Sequence, residues 1–487
     1  MGNLIRNERL KLYKKPSTWI LTGIIVALSL VGLIFSHLLL GSSYEYDWRM
    51  DYENQLENCT MWLKEDPGDL SIARQVEEYT YLLDNEIPPS DWRSTAVSEY
   101  FDMKYSNIVY DETGEGSTVA EPDEETGARM ERLKALIEQN DWRGYVEGQI
   151  ADLESGYTPS ASEEEKQVAI EVYNLQLEYD VPPSGRSTSL SRESDWRAAE
   201  IDSIFGNKLA LVQGEYNGAL LTRHQRAELE QANAVSLRRL ATGTAPVGSQ
   251  SFLGLLESTA TSMELITLLL IVFAGGMIST EFGTGTIKLL LITPHRRKKI
   301  FWAKAAILLE ITLITVGAVF LFAFLLSGIF TGFSGIGDMQ VMTLFGRVVR
   351  FPYLLYIVMK MLLLLLPVLA YGALALMLSA VTRKSAVAIA VSLLLMFGSE
   401  IIMALISAYT MYGGGVIPGI KFLFFANTSL GTYLPSASGS ISAIMGGSVG
   451  ATVDGTMALG FSVAVLLVYT ACFLWIARDS FCRRDVK

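Results

Sequence analysis

Three cysteines and three histidines in 487 residues leave little for covalent or metal-based chemistry. Cys59 lies in a polar stretch, Cys472 in the last apolar run and Cys482 in the tail. One cysteine in the polar stretch cannot close an intrachain disulfide there, so Cys59 is either a buried free thiol or half of an intermolecular bridge. His37, His224 and His295 stand far apart in sequence, and no HExxH pair occurs. A GxSxG nucleophile elbow in a strand-to-helix setting is missing too. So is GxxxxGK[ST], the loop whose glycine amides cradle phosphates while its lysine neutralises them. The chain is therefore not read as an enzyme, and it binds no cofactor of its own. Charge is also scarce, at 18% of residues, while half of the chain is hydrophobic.

That apolar half is unevenly spread. It forms one block near residue 20 and a long tract from about residue 257, with roughly two hundred polar residues between. A bilayer core about 30 Å thick needs roughly 20 apolar residues in a helix. Six stretches qualify: Ser17–Leu40, Leu256–Ser279, Ala303–Phe330, Tyr353–Ala380, Ala386–Thr410 and Met457–Ala477. The first is too long for a signal peptide, and no small-residue cleavage site follows it, so it reads as a retained anchor. Bases orient the set. Arg6, Arg9, Lys11, Lys14 and Lys15 precede the first span, and Arg296, Arg297, Lys298, Lys299 and Lys304 lie between the second and third. Arg383 and Lys384 join the fourth and fifth, and Arg478, Arg483, Arg484 and Lys487 end the chain. Alternation puts all of these on one side, which the positive-inside rule makes cytoplasmic together with both termini. Arg347 and Arg350 dissent, in an external loop.

The net charge of −12 conceals two opposite halves. Residues 41–256 hold 41 acids against 18 bases, a balance of −23, whereas the rest of the chain stands at +11. An acidic insert on a basic membrane part fits an insert outside the cell. Nucleic-acid binding is not expected, because the bases border spans and form no continuous face.

Within the insert Asp-Trp-Arg occurs four times, at Asp47, Asp91, Asp141 and Asp195. The flanks repeat as well. "YDWRMDYENQLE" at 46–57 resembles "NDWRGYVEGQIADLE" at 140–154. "LDNEIPPSDWR" at 83–93 resembles "LEYDVPPS…SDWR" at 177–197, with ten extra residues in the second copy. Repeated segments argue for an internal duplication, 46–93 and 140–197, each unit built of amphipathic helices. The tripeptide admits two readings. In one, Asp caps a helix, Trp packs on a neighbouring helix and Arg pairs with nearby acids; in the other, Trp is a repeated ligand-binding aromatic. "DETGEGSTVAEPDEETG" at 111–127 is acidic and Gly-rich and reads as a mobile loop between the units. The expected fold is an all-α integral membrane protein: six transmembrane helices plus a helical, duplicated extracellular domain between spans one and two. Its parts are 1–40 (interfacial helix and first span), 41–255 (extracellular) and 256–487 (five spans).

After the second span comes "GGMISTEFGTGTIKLLLITPHRRKKIFWAK", residues 275–304. Gly283 and Gly285 permit tight backbone geometry, "TIKLLLIT" gives a short helix with an apolar stripe, and Pro294 stops it before a basic cluster. An exposed apolar stripe needs a partner surface, or else lies on the membrane. The string resembles the signature of type-2 ABC exporter permeases through Glu281, Gly285, Thr286, Leu289, Leu290, Thr293, Pro294, Arg297 and Lys304. "LIRNERLKLYKKPSTWI" resembles that family's N-terminal interfacial helix. The resemblance covers about 270 residues and not the insert. It implies that segment 281–304, with Gly283, is a coupling helix docking in a groove of a separate ABC ATPase that holds ATP and Mg. It further implies two permease chains per complex, the first and fifth spans near the shared axis, a bacterial plasma membrane and an exported amphipathic substrate. Met411–Gly455, Gly- and Ser-rich, would match the family's short re-entrant helices.

Charged residues inside spans are costly in lipid and face a cavity, a partner or the headgroups. Glu264 and Glu310 lie near span ends, within reach of headgroups. Lys360 and Glu400 sit deeper on adjacent spans, as an ion pair or as substrate contacts. Glu264, Lys360 and Glu400 are the candidate substrate-pathway residues. A non-transporting sensor, or a scaffold whose insert binds a ligand or partner, is the competing expectation. It would need no docking segment for an ATPase.

Overall fold

The computed structural model describes residues 2–41, 47–106, 108–110, 117–156, 162–186, 195–216, 219–221, 223–285, 296–344, 346–409, 417, 419–434 and 457–483. A short α1 (Gly2–Tyr13) turns at Lys14 and Lys15 into α2 (Pro16–Gly41), the first long apolar helix. Proline at the first helical position costs no hydrogen bond there. Thr18 closes the turn by donating to the Leu12 carbonyl at 2.7 Å, and the Trp19 indole donates to Tyr13 at 2.8 Å.

Among the described residues, six stretches are long and apolar enough to cross a membrane. Besides α2 they are the run Phe252–Gly283, α14 (Arg297–Thr331), α15 (Tyr353–Thr382), α16 (Ser385–Tyr409) and α17 (Leu459–Arg483). The second differs from the single helix expected. It begins as α11 (Phe252–Ser258), passes through a 3-10 turn at Thr259–Thr261, continues as α12 (Ser262–Met277) and ends in α13 (Ser279–Gly283). Hydroxyls explain the tightening. Ser258, Thr259 and Thr261 each donate to the carbonyl three residues back, so local side chains serve backbone groups where the ladder changes pitch. The core of the bundle is α12 against α15, with α17 on the other side of α15. Close approach there needs small residues. A Cβ at Gly372 would meet Leu270 Cδ2 at 2.5 Å, and one at Gly275 would meet Ile389 Cγ1 at 2.7 Å.

Between the first two spans the chain folds into helices in a repeating order. The series α3 (Trp48–Glu65), α4 (Leu70–Asp84), α5 (Trp92–Lys104), hairpin β1 (Ile108–Tyr110) with β2 (Ser117–Val119), α6 (Glu124–Gln139) comes first. Then α7 (Trp142–Glu154), α8 (Glu163–Tyr179), α9 (Trp196–Gln213), hairpin β3 (Glu215–Tyr216) with β4 (Ala219–Leu220) and α10 (Arg223–Thr242) follow. All four Asp-Trp-Arg aspartates are N-caps: Asp47, Asp91, Asp141 and Asp195 each accept a backbone N–H two or three residues on. The tryptophans pack rather than project. Trp92 is buried against Tyr145, with its indole donating to Asn140 at 3.0 Å, and the other three are half-buried. Arg49 pairs with Glu86 and Arg143 with Asp180, while Arg93 and Arg197 fold back onto their own capping aspartates. Cys59 is buried, which suits the free thiol rather than a bridge.

Gly185 and Arg186 tie the two series together. Gly185 lies so close to the Pro89 and Asp91 carbonyls that a Cβ would sit 2.3–2.4 Å from them. Arg186 reaches Glu78, a buried carboxylate also held by Arg74, and its backbone N–H donates to Ser94 Oγ at 3.0 Å. Of the acidic loop expected at 111–127, residues 111–116 lie outside the described residues, and Glu124–Gly127 already belong to α6.

The chain is not purely helical. A third hairpin, β5 (Met339–Leu344) with β6 (Arg347–Pro352), runs in register from Met339 opposite Pro352 to Leu344 opposite Arg347. Val341, Val348 and Val349 favour strand, and Gly346 supplies the left-handed turn residue at φ 76°. Arg347 and Arg350, which dissented from the charge rule, are exposed on β6. This hairpin packs against α10 and so joins the insert to the head of α15. Of the segment Met411–Gly455, residues 417 and 419–434 are described, and they form 3-10 turns at Ile420–Phe422, Phe425–Asn427 and Leu430–Tyr433; the rest lies outside the described residues.

Candidate functional site

Two sites stand at opposite ends of the bundle. The first is an ion cluster where α1 meets α13 and α14. Glu8 and Lys11 are three apart and share one face of α1. Lys304, two turns into α14, is 1% exposed, and its Nζ lies 2.9 Å from Glu8 Oε2 and 2.7 Å from Glu281 Oε1. Lys11 Nζ adds contacts of 3.1 Å to Glu8 and 3.3 Å to Glu281. Two cations thus bridge two carboxylates from distant parts of the chain. A buried ammonium is tolerable only when paired in this way. Burial pushes the Glu8 carboxyl up, but Lys304 and then Lys11 outweigh it and hold Glu8 below the usual carboxylate range. Burial lowers the Lys11 ammonium, but Glu8 and Glu281 raise it further, for a net rise.

Six residues further along α14, Glu310 accepts from Arg9 at 2.8 Å and from the Tyr13 hydroxyl at 2.9 Å. Glu310, read from sequence as lying within reach of the headgroups, takes both partners from α1, which lies along α14. Burial, then Glu310, pushes the Tyr13 phenol up to about 12.

Of the coupling residues expected from sequence, Glu281 is inside this cluster. Gly283 and Gly285 are exposed beside it, Gly285 with φ 71°. Arg297 donates to the Cys482 carbonyl on α17 at 3.4 Å. Thr286, Leu289, Leu290, Thr293 and Pro294 lie outside the described residues. Glu8 was missed by sequence reasoning. Its signal was the Glu8–Lys11 spacing in "NERLKLYKK", a polar pair three apart on a helix leading into a span.

The second site is a cavity of about 1490 Å³ at the ends of the spans nearest the insert. α10 covers it, and α11, α12, β5, α15 and α16 wall it. Glu264, Lys360 and Glu400 all line it, so the three residues singled out in separate spans share one space. They do not form the ion pair expected between Lys360 and Glu400. Lys360 Nζ instead binds Glu257 Oε1 at 2.5 Å, and the Tyr353 hydroxyl donates to the same carboxylate. The physical reason is reach: Glu257 is on α11, which packs against α15, and its carboxylate lies within hydrogen-bond distance of Lys360. Neither Glu264 nor Glu400 has a hydrogen-bond or ion-pair partner among the described residues. Arg239 of α10 also lines the cavity, and it is buried in a 2.7 Å pair with Glu200. Among the described residues no group of three His, Cys, Asp or Glu converges as metal ligands would. The arrangement suits holding a ligand.

A family model described as a protein of unknown function (DUF2705) matches residues 234–487, from within α10 to the end of the chain. Among curated proteins, the chain is 28% identical over 238 residues to "Uncharacterized membrane protein YdbK" of Bacillus subtilis strain 168, covering 49% of this chain and 85% of that protein. It is 29% identical over 229 residues to "Uncharacterized protein YhcI" of the same strain, covering 46% of this chain and 65% of that one. No solved structure matches.

Proposed function

The chain belongs to the DUF2705 family; we propose, from the resemblance of residues 275–304 to a coupling segment, that it is the membrane-spanning permease subunit of an ATP-driven ABC exporter, powered by a separate ATPase. The observation that carries the reading is the Lys304–Glu281 contact at 2.7 Å. Glu281 and Lys304 bound the segment that resembles a coupling helix, and the ion cluster fastens both ends of that segment to the interfacial helix α1. An ATPase docking on residues 281–304 would therefore push on α1, α12 and α14 together. α12 runs on to the cavity, where Glu264 lies.

In this reading both termini and the bases at 296–304 are cytoplasmic, the insert stands outside the cell, and the cavity is at the exit end. The insert is a duplication. The order Trp-led helix, helix, Trp-led helix, hairpin, helix occurs twice, and the pairs Arg49–Glu86 and Arg143–Asp180 occupy equivalent places in the two series. Two chains form the complex, with α2 and α16 near the axis. Both expose apolar side chains along their length, among them Ile20, Ile24 and Phe35, and Leu394, Ile401 and Leu405.

Affinity purification of the full chain from membranes tests the proposal. An ABC ATPase should co-purify in a ratio of one per permease chain, and the reversal E281K should release it while the fourfold swap E8K/K11E/E281K/K304E, which restores every pairing in the cluster, retains it. A chain that purifies without any ATPase, in lipid and with nucleotide present, sinks the permease reading in favour of a sensor or scaffold.

A further inference from the structure

The cavity beneath α10 has a chemistry that narrows its ligand. Its acids are Glu228, Glu257, Glu264 and Glu400, against two bases, Arg239 and Lys360. Both bases are already committed, Lys360 to Glu257 and Arg239 to Glu200, which is not itself in the wall. Glu264 and Glu400 face each other's field from α12 and α16 without a counter-ion among the described residues. Two such carboxylates repel, and both are open to the cavity. A cation entering between them relieves both.

Among polar side chains such as Gln231, Thr261 and Thr267, the wall carries an apolar stretch of Leu362, Leu363, Pro367, Val368, Tyr371 and Met396. An inorganic cation would leave these side chains uncovered, because a space of about 1490 Å³ exceeds that of a drug-sized pocket. Tyr356 lines it as well. We propose that this cavity is a binding site for hydrophobic organic cations, with Glu264 and Glu400 as the charge-recognising pair and the α15–α16 wall taking the apolar body. The inference deepens the permease reading by naming the substrate class. The binding site itself needs no ATPase to be occupied.

Equilibrium binding to the purified full chain in phosphatidylcholine nanodiscs tests it, with empty nanodiscs subtracted. The probes are tetraphenylphosphonium and tetraphenylborate, which share shape and apolar area and differ in sign. Saturable binding of the phosphonium, with the borate at least about tenfold weaker, is expected. The variant E264Q/E400Q should lose at least about tenfold in phosphonium affinity, and E264D/E400D, which keeps both charges, should retain it. Equal saturable binding of the two ions, or an E264Q/E400Q variant that binds as the parent does, overturns the proposal. So does full displacement of the phosphonium by calcium, which would make the carboxylates a metal site. Loss of binding in the aspartate variant as well would show that the two positions matter for shape and not for charge, and would also overturn it. Because no ATPase is present, these results stand apart from the co-purification that decides the permease reading.

Discussion

Replacing Lys304 by methionine removes the cation at the centre of the α1–α13–α14 junction while keeping an unbranched side chain in the same space. Glu8, also buried, then faces Glu281 with its nearest neutralising group gone. Breaking a buried ion pair by deleting one partner costs about 3–5 kcal/mol, because the charge left behind is not resolvated. Here the lower figure applies, since Lys11 still touches both carboxylates from its half-exposed position. We therefore expect K304M to destabilise the chain by about 3 kcal/mol, a loss of about two orders of magnitude in the folded-to-unfolded ratio. Reversible unfolding of the full chain in mixed micelles, titrated with dodecyl sulfate and followed by tryptophan fluorescence, measures it. The triple variant E8L/K304M/E281L takes all three charges away, and a well-packed apolar replacement of a buried ion cluster is often neutral or better. It should recover most of the stability and yet fail to couple to an ATPase. A K304M chain within about 1 kcal/mol of the parent, or a triple variant no more stable than the single one, would refute the account of Lys304 as a buried, doubly paired cation.

The same cluster should respond to acid. Glu8 is held below the usual carboxylate range, so its contribution is present above the unfolded value of about 4.3 and fades as pH falls through the lower folded value; spin labels on α1 and α14 should separate only in that acid window, and E8Q should abolish the transition. Glu99, half-buried and hydrogen-bonded by Tyr145 and Gln149, has its carboxyl pushed up by desolvation despite those hydrogen bonds. Its stabilising contribution is full below the unfolded value and is lost as pH rises through the higher folded one, so E99Q should flatten the fall in stability over that interval, read by tryptophan fluorescence during denaturant titration. Gly372→Val should cost about 1–3 kcal/mol in the micelle assay, because its Cβ would overlap Leu270, whereas Gly317→Val, at a glycine with open space around it, should be close to neutral. Cysteine labelling of intact cells should modify a single cysteine at Ser117 and leave one at Lys298 untouched until the membrane is permeabilised; the opposite pattern reverses the orientation.

Much of the architecture was legible in the linear chain because its causes are local. Twenty apolar residues in a row need a bilayer or a core whatever surrounds them, so the six long helices were readable from Ser17 to Ala477. An aspartate before Trp-Arg accepts the backbone N–H groups within three residues of it, so the four helix starts in the insert were readable too. What escaped was whatever depended on two distant segments meeting. Glu8 and Lys304 are 296 residues apart, and no periodicity links them. Lys360 and Glu400 looked like partners because adjacent spans carried opposite charges, yet Glu257 on α11 takes the lysine. The hairpin β5–β6 hid in the loop between α14 and α15, where strand propensity shows only once α10 gives it a surface to pack on. Length, hydropathy and caps are set by each residue and its immediate neighbours, and these the sequence determines by itself. Which charge neutralises which, and whether Glu264, Lys360 and Glu400 share a cavity, follows from how helices cross, and only the tertiary packing decides that.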